Sequence, residues 1–355
     1  MTPVRLLVND LRFESLFPGI ILFLFLFFSC GSIAHAEQDV GDPRGESRTF
    51  TTLPEWYIVY SAQEYAHFVS SGHMPTDFPF FAAIKQYWSV SDAITARVGG
   101  KTQIDSTTLT ILRTIGASFT FEYGITGIYE NTVGRVTDYM AFRTKSTEDV
   151  YTDETSDAYG TFLNHTPWFD FSYTHALAGL WMHYGWSSLW VRGLERRIAF
   201  TAGYSVKALY ASIIGYFSNT AYGGAHLTTD IIVRDIVMRE LESIPNVTNV
   251  VARDDGTLSA TLTRYRAFKA PLLEIVKRGG SFVTIQNNKL IMLSLIAPLN
   301  SSCEVLAHPL IIMPFVTEPV RARYAVETTV DTLAKTIRST IASCSDVDIE
   351  HFYDY

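Results

Sequence analysis

From residue 112 a run of positions recurs at spacings of three and four: Leu112, Ile115, Phe119, Glu122, Thr126, Tyr129, Val133, Val136 and Met140. That period places them on one face of a helix, with intervening glycines that would kink it. Upstream, Thr52-Leu53-Pro54-Glu55 has the form of a capping box with proline in the first turn, and predicts a helix to about Ser70. A second helix is expected over Phe80–Arg97, stopped by Gly99-Gly100. The acidic stretch with Glu148, Asp149, Asp153, Glu154 and Asp157 reads as a solvated helix face. Aromatic-rich helices are expected over about Phe171–Tyr184 and Ser187–Phe217.

Beyond Gly223-Gly224 the pattern changes to alternation and β-branched runs. Strand Thr229–Val233, helix Arg234–Ser243, strand Val247–Ala252, the turn Asp254-Asp255-Gly256, strand Leu258–Phe268, helix Pro271–Arg278 and strand Ser281–Gln286 follow one another. A hairpin over Asn287-Asn288 would lead into Leu290–Ala297. The order β-α-β-β-α-β is the ferredoxin-like pattern. Strands near Val305–Phe315 and Ala322–Thr328, helix Val330–Ala342 and strand Val347–Phe352 either extend that sheet or build a second small α+β unit. The expected fold class is therefore α+β, an aromatic-rich helical domain over 37–225 followed by a ferredoxin-like α+β domain over 226–355. All six tryptophans and 15 of the 19 tyrosines precede the boundary, which sets the two halves apart.

The first 36 residues have another character. Ser15 to Ala36 carries no formal charge in 22 residues, and Ala34-His35-Ala36 supplies small residues at the positions a signal peptidase reads. A signal peptide cut after Ala36 is the expectation. An uncleaved transmembrane anchor and lipidation at Cys30 stay open beside it. All three place the chain in the periplasm or cell envelope. Only Cys303 and Cys344 remain after cleavage, and in an oxidising compartment they either pair or stay as two buried thiols.

Composition narrows the function classes. Hydrophobic residues make up 47% of the 355 residues and charged residues 18%, which excludes a disordered chain. The net charge of −8, without a basic run, argues against a nucleic-acid partner. Nucleotide-binding glycine loops, the serine-hydrolase elbow, H-E-x-x-H and C-x-x-C are all absent.

A few residues stand out chemically. Glu122 lies in an apolar helical stripe, and Lys207 is the only formal charge between Ile198 and Phe217. A buried carboxylate needs a partner, so the two are expected to meet across packed helices. Glu64-Tyr65-Ala66-His67 is a Glu-x-x-His of the kind that holds di-metal centres, with Glu55, Glu122 and Glu130 as supplements, although such centres need two copies of the motif. His175 and His183, among Trp181, Trp186 and Trp190, have the spacing for a haem or metal site or for core histidines. The Trp168–Trp190 segment and the trio Arg192, Arg196 and Arg197 suit either core packing with a solvated basic end or a membrane surface.

Leu53-Pro54-Glu55-Trp56-Tyr57-Ile58-Val59-Tyr60-Ser61, Glu195-Arg196-Arg197 with Tyr204–Tyr210, and the closing His351-Phe352-Tyr353-Asp354-Tyr355 resemble segments of a group of bacterial exported or membrane-anchored proteins. The resemblance implies a two-part envelope protein and carries over no catalytic residue or cofactor. The leading expectation is a non-enzymatic binding protein for a lipid-like ligand, a membrane or envelope surface, or a protein partner, with no cofactor. Ferredoxin-like sheets often pair, which makes the α+β part the expected route to a homo-oligomer. The alternative is a metal- or haem-dependent enzyme using Glu64, His67 and Glu122.

Overall fold

Apolar residues on α1 (Glu46–Ser70), α2 (Phe80–Gly99) and α3 (Ser106–Tyr129) form one aromatic core. The computed structural model describes residues 46–99, 106–166, 168–182, 185–221 and 228–353. Helix α1 starts upstream of the expected cap and continues through Pro54. Tertiary packing overrides the proline: Leu53, Trp56, Tyr57 and Tyr60 are all buried. Edge-on ring contacts join Tyr57 to Tyr87 and Phe119, with centroids 5.8 Å apart in both pairs.

The long stripe from Leu112 is not one continuous core face. A π-helical turn, Glu130–Gly134, follows α3 and leads into α4 (Arg135–Met140). The extra residue in a π turn shifts the helical phase. Before it Leu112 and Phe119 are buried; after it Val136 and Met140 are exposed, and Thr137 and Asp138 turn inward instead. Helices α5 (Thr147–Phe162), α6 (Tyr173–Met182) and α7 (Trp190–Ala221) complete the helical part.

Two four-stranded antiparallel sheets follow. The first holds β1 (Thr228–Arg234), β2 (Val247–Ala252), β3 (Leu258–Thr263) and β4 (Ser281–Ile285) in the order β2-β3-β1-β4, with α8 (Met238–Glu242) and α9 (Lys269–Lys277) between strands. The second holds β5 (Leu290–Pro298), β6 (Ile311–Pro314), β7 (Arg321–Thr329) and β8 (Asp348–Tyr353) in the order β6-β7-β5-β8. Helix α10 (Val330–Ser343) precedes β8, and a single 3-10 turn, Glu304–Leu306, stands where α8 stands in the first unit. The two sheets therefore repeat one strand order. The turn at Asp254-Asp255-Gly256 forms as the sequence predicts, with Gly256 at φ +79° and Asp255 accepting from the Thr257 N–H at 3.0 Å.

The hairpin expected over Asn287-Asn288 does not join β4 to β5. β4 pairs with β1, whereas β5 pairs with β7 and β8, and only an isolated bridge links Ile285 to Asn288. Hydrogen bonds pull the connection both ways. The Gln286 N–H donates to Asp230 O at 2.7 Å, and the Val330 N–H donates to Lys289 O at 2.7 Å.

Helices α9 and α10 share one core with the inner faces of both sheets, including Ile231, Phe282, Leu293 and Tyr324. The other face of the second sheet packs on the helical part through Met292, Met313, Ala325 and Tyr353. The β5 pattern follows from burial on both sides, with five successive buried positions from Ile291 to Leu295. A polar seam crosses that contact. Arg323 holds Glu350 with bonds of 2.5 and 2.7 Å, and its guanidinium lies 3.8 Å from the Tyr60 ring centroid. Ser294 donates to Glu350 at 3.0 Å, and Tyr60 Oη bonds Ser294 Oγ and Tyr353 Oη. Trp56 lies on His351 with ring centroids 4.0 Å apart. Two of the segments that carry the resemblance thus meet here.

The expectation of a transmembrane helix is corrected. Among the described residues no helix is long and apolar enough to cross a membrane. The most apolar internal stretches, 107–130, 171–191 and 198–217, are interrupted by Arg113, Glu122, His175, His183 and Lys207 and contribute to α3, α6 and α7. Residues 1–36, with Cys30 and the cleavage site after Ala36, lie outside the described residues, as does the boundary placed near 225. Nothing in the described residues supports a signal peptide or a membrane span.

Cys303 and Cys344 are joined by a disulfide that ties the β5–β6 connection to the end of α10, with Cα atoms 5.7 Å apart. Closing a loop across that separation of 41 residues is worth roughly 3–4 kcal/mol in the chain-entropy model. Replacing both with serine is expected to lower the unfolding free energy by about that amount, read from urea melts. His351 offers a second test. Burial is the main cause that lowers its pKa from 6.5 to about 3, with Lys269 adding to it. The unfolded chain therefore takes up a proton that the fold refuses, and stability falls as pH drops from 6.5 toward about 3. His351→Phe, which keeps a ring against Trp56, is expected to flatten that limb of the stability–pH curve.

Candidate functional site

The first turns of α7 carry Arg192, Glu195, Arg196 and Arg197, and all four are buried. A buried charge survives only when it is paired and hydrogen-bonded, and each of these is. Arg192 grips Asp149 in a two-bonded fork at 2.8 and 2.9 Å. Its Nη1 also donates to Gly134 O and Thr137 Oγ1, both at 3.0 Å, and to Glu195 at 3.2 Å. Arg196 bridges Glu130 at 2.7 Å and Glu195 at 2.5 Å. Arg197 donates to Glu148 at 2.9 Å and to the carbonyls of Leu180 at 2.7 Å and Gly185 at 3.0 Å. The Trp186 ring covers its guanidinium at 4.4 Å.

Each partner is positioned by local structure. Ser146 caps α5 with a full capping box, its hydroxyl accepting from the Asp149 N–H at 3.1 Å while the Asp149 carboxylate accepts from the Ser146 N–H at 3.0 Å. That box fixes Asp149 and Glu148 in the first turn, aimed at α7. The π turn supplies Glu130 and brings the Gly134 carbonyl to Arg192. Gly193 is required by close approach, because a β-carbon there would lie 2.6 Å from Glu148 Oε2. Burial pushes the Glu195 carboxyl up, but the Arg196 guanidinium outweighs it and leaves it below the usual range. Beside the lattice, burial raises the Asp153 carboxyl to about 6 against the opposing pull of Lys145, which it meets at 2.5 Å.

Two expectations are thereby corrected. The segment 148–157 is not a solvated face: Glu148, Asp149 and Asp153 are buried, and only Glu154 and Asp157 reach solvent. The arginine trio is not a solvated basic end, since its charges are consumed by carboxylates brought from α5 and the π turn. A sequence signal exists in hindsight. A capping pattern at Ser146 places two acids in one helical turn, and three arginines open the next long helix.

Large apolar side chains are exposed on the elements that build this lattice. Among the described residues, 16 of the 24 large hydrophobic side chains that are exposed lie between Ile125 and Leu209. On α7 they are Trp190, Leu194, Ile198, Val206 and Leu209, a stripe about 28 Å long at 1.5 Å per residue. On α3 they include Ile125 and Ile128. Long side chains link α7 to this stretch in antiparallel order, Glu122 of α3 to Lys207 at 2.6 Å and Glu130 of the π turn to Arg196 at 2.7 Å. Trp181 and Trp186 extend the surface beyond α7.

The pairing of Glu122 with Lys207 is formed, but its burial is not. Their side chains are 51% and 31% exposed, so this is a surface pair at the edge of the apolar face. Glu122 precedes the π turn and stands on the exposed flank of α3 beside Phe121. Glu64 accepts from the Thr317 N–H and hydroxyl, both at 2.8 Å, and burial raises its pKa against those bonds. His67 and His175 are exposed, and His183 lies outside the described residues. Among the described residues no group of three or more histidine, cysteine, aspartate or glutamate side chains is arranged to hold a metal ion. Comparison with known families, curated proteins and solved structures finds no match to this chain.

Within the lattice Glu148 Oε2 is buried and accepts no hydrogen bond from the described residues, while its Oε1 pairs with Arg197. The chemistry of the lattice is electrostatic: it locks α7 to four other elements. Arg192→Leu would leave Asp149 buried without its partner, and is expected to cost roughly 3–5 kcal/mol in a urea melt. Ile198→Ser, on the exposed side of the same helix, is expected to change stability by no more than about 0.5 kcal/mol.

Proposed function

We propose that this is a non-enzymatic interaction protein, and that the apolar face of α3 and α7 is where it binds another protein. The observation that carries the reading is the inverted polarity of α7: its charges are buried and paired, while its solvent side from Trp190 to Leu209 is apolar. Exposed apolar patches larger than a few hundred Å² mark interaction sites. Tryptophan beside aliphatic anchors is the composition of interface centres.

The two sheets are read as tandem ferredoxin-like units. The strand order β2-β3-β1-β4, its repetition as β6-β7-β5-β8 and the sequence β-α-β-β-α-β of the first unit support that reading. In this arrangement the sheets act as a platform, because one face of the second sheet packs against α1 and α2. The disulfide between Cys303 and Cys344 supports folding in an oxidising compartment.

A photo-crosslinking residue at Ile128 or Ile198, compared with one at the remote exposed Ile341, tests the reading in the native host. Crosslinks to one protein identified by mass spectrometry, formed from both face positions and not from Ile341, are expected. No protein adduct above the Ile341 background would remove the proposal.

A further inference from the structure

The two sheets repeat one strand order, and each fastens its first crossover from the same place. In the first unit that crossover contains α8. Arg278, the C-cap residue of α9, reaches it: Nη1 donates to Glu240 O at 2.7 Å and to Ser243 Oγ at 2.5 Å. In the second unit the C-cap residue of α10 is Cys344. It reaches the crossover through the disulfide to Cys303, the residue that opens the 3-10 turn Glu304–Leu306. One unit is fastened by hydrogen bonds and the other by a bond that a reductant can break.

We infer that the Cys303–Cys344 disulfide is a redox-sensitive clasp, whose reduction releases the β5–β6 crossover and loosens β6 beneath α2 while the first sheet keeps its fold.

The crossover has little support of its own. The first unit buries Leu241 from a helix and Ile244 behind it, whereas the second buries Leu306 from a single 3-10 turn. Its backbone bonds are local. The Ser301 N–H donates to Pro298 O, the Leu306 N–H to Cys303 O and the Ala307 N–H to Glu304 O, each at 3.0 Å. Bonds of that range do not tie a segment to its sheet, and such segments open at low cost once a tether is cut.

The crossover leads straight into β6, which makes its release felt further on. β6 is a four-residue edge strand paired with β7. Met313 on it is buried in the core shared with the helical part, and Leu310 and Ile311 pack against that core. Gln86 of α2 donates to Pro314 O at 2.6 Å. A strand this short has few ladder bonds, so its order depends on how its entry is held.

The step is thiol–disulfide exchange with a dithiol reductant. Cys303 is half-buried and Cys344 buried, so attack enters at Cys303. One thiolate of the dithiol bonds the Cys303 sulfur, the S–S bond breaks, and Cys344 leaves as a thiolate. The second thiolate of the dithiol then displaces Cys303. Two electrons and the two protons of the dithiol end on Cys303 and Cys344 as thiols, and the dithiol ends as its own disulfide.

The test uses the full oxidised chain with dithiothreitol, amide hydrogen exchange read by mass spectrometry, and alkylation to count free thiols. Reduction is expected to speed exchange at least tenfold over 299–314 and in the last turn of α10, and to leave 228–285 unchanged. Cys303→Ser with Cys344→Ser is expected to show the same exchange without dithiothreitol. Should that variant fail to fold, the reduced wild-type chain carries the test alone. Unchanged exchange over 299–314 with both thiols alkylated overturns the inference. So does exchange that rises equally in both sheets, or that stops at Leu310 and spares β6. A disulfide that dithiothreitol cannot reach until urea unfolds the chain overturns it too.

Discussion

The fork between Arg192 and Asp149 is the contact on which the helical part depends. It joins residues 43 apart in the chain, both buried, through two bonds near 2.9 Å. Neither charge can be inside without the other, because an unpaired ion in a low-dielectric interior costs several kcal/mol. Around that fork Glu195, Arg196 and Arg197 recruit Glu130 and Glu148, so three guanidiniums face four carboxylates. The polar side of α7 is thereby turned inward, and the apolar side is left with nowhere to go but outward. Surface and interior are two consequences of one electrostatic constraint.

The attachment of helices to sheet follows another rule. There the contact is mostly rings and aliphatic side chains, and polarity enters only as the closed seam of Arg323, Glu350, Ser294, Tyr60 and Tyr353. Glu350 is held within the sheet by Arg323 and Ser294, Tyr60 reaches across from the helical side to Ser294 and Tyr353, and Arg323 sits against the Tyr60 ring rather than in water. The seam gives directional contacts to an apolar interface that would otherwise tolerate sliding. His351 stays neutral beneath Trp56, which keeps charge out of the contact at ordinary pH.

Much of the element order was legible from the chain. The switch from helical to alternating periods, the turn at Gly256, helix Val330–Ser343 and the strands around it can be recognised from local pattern. The meeting of Glu122 and Lys207 was legible as well, since each is a lone charge in an apolar run. Three things were hidden. The π turn changed the helical phase after Tyr129, and no single residue announces such a shift. The acids of α5 looked solvated because acidic runs usually are. The division of β4 and β5 between two sheets turned on hydrogen bonds to Asp230 and Val330, each remote in sequence.

Composition and period alone determined that this chain folds as helices first and sheets second, because those signals depend only on neighbours within a few residues. Which face of each element is inside was decided by tertiary structure. Whether an arginine is wet or dry depends on what stands opposite it. For Arg192, Arg196 and Arg197 those opposing groups arrive from 43 to 66 residues away, a distance at which no local pattern carries information about burial.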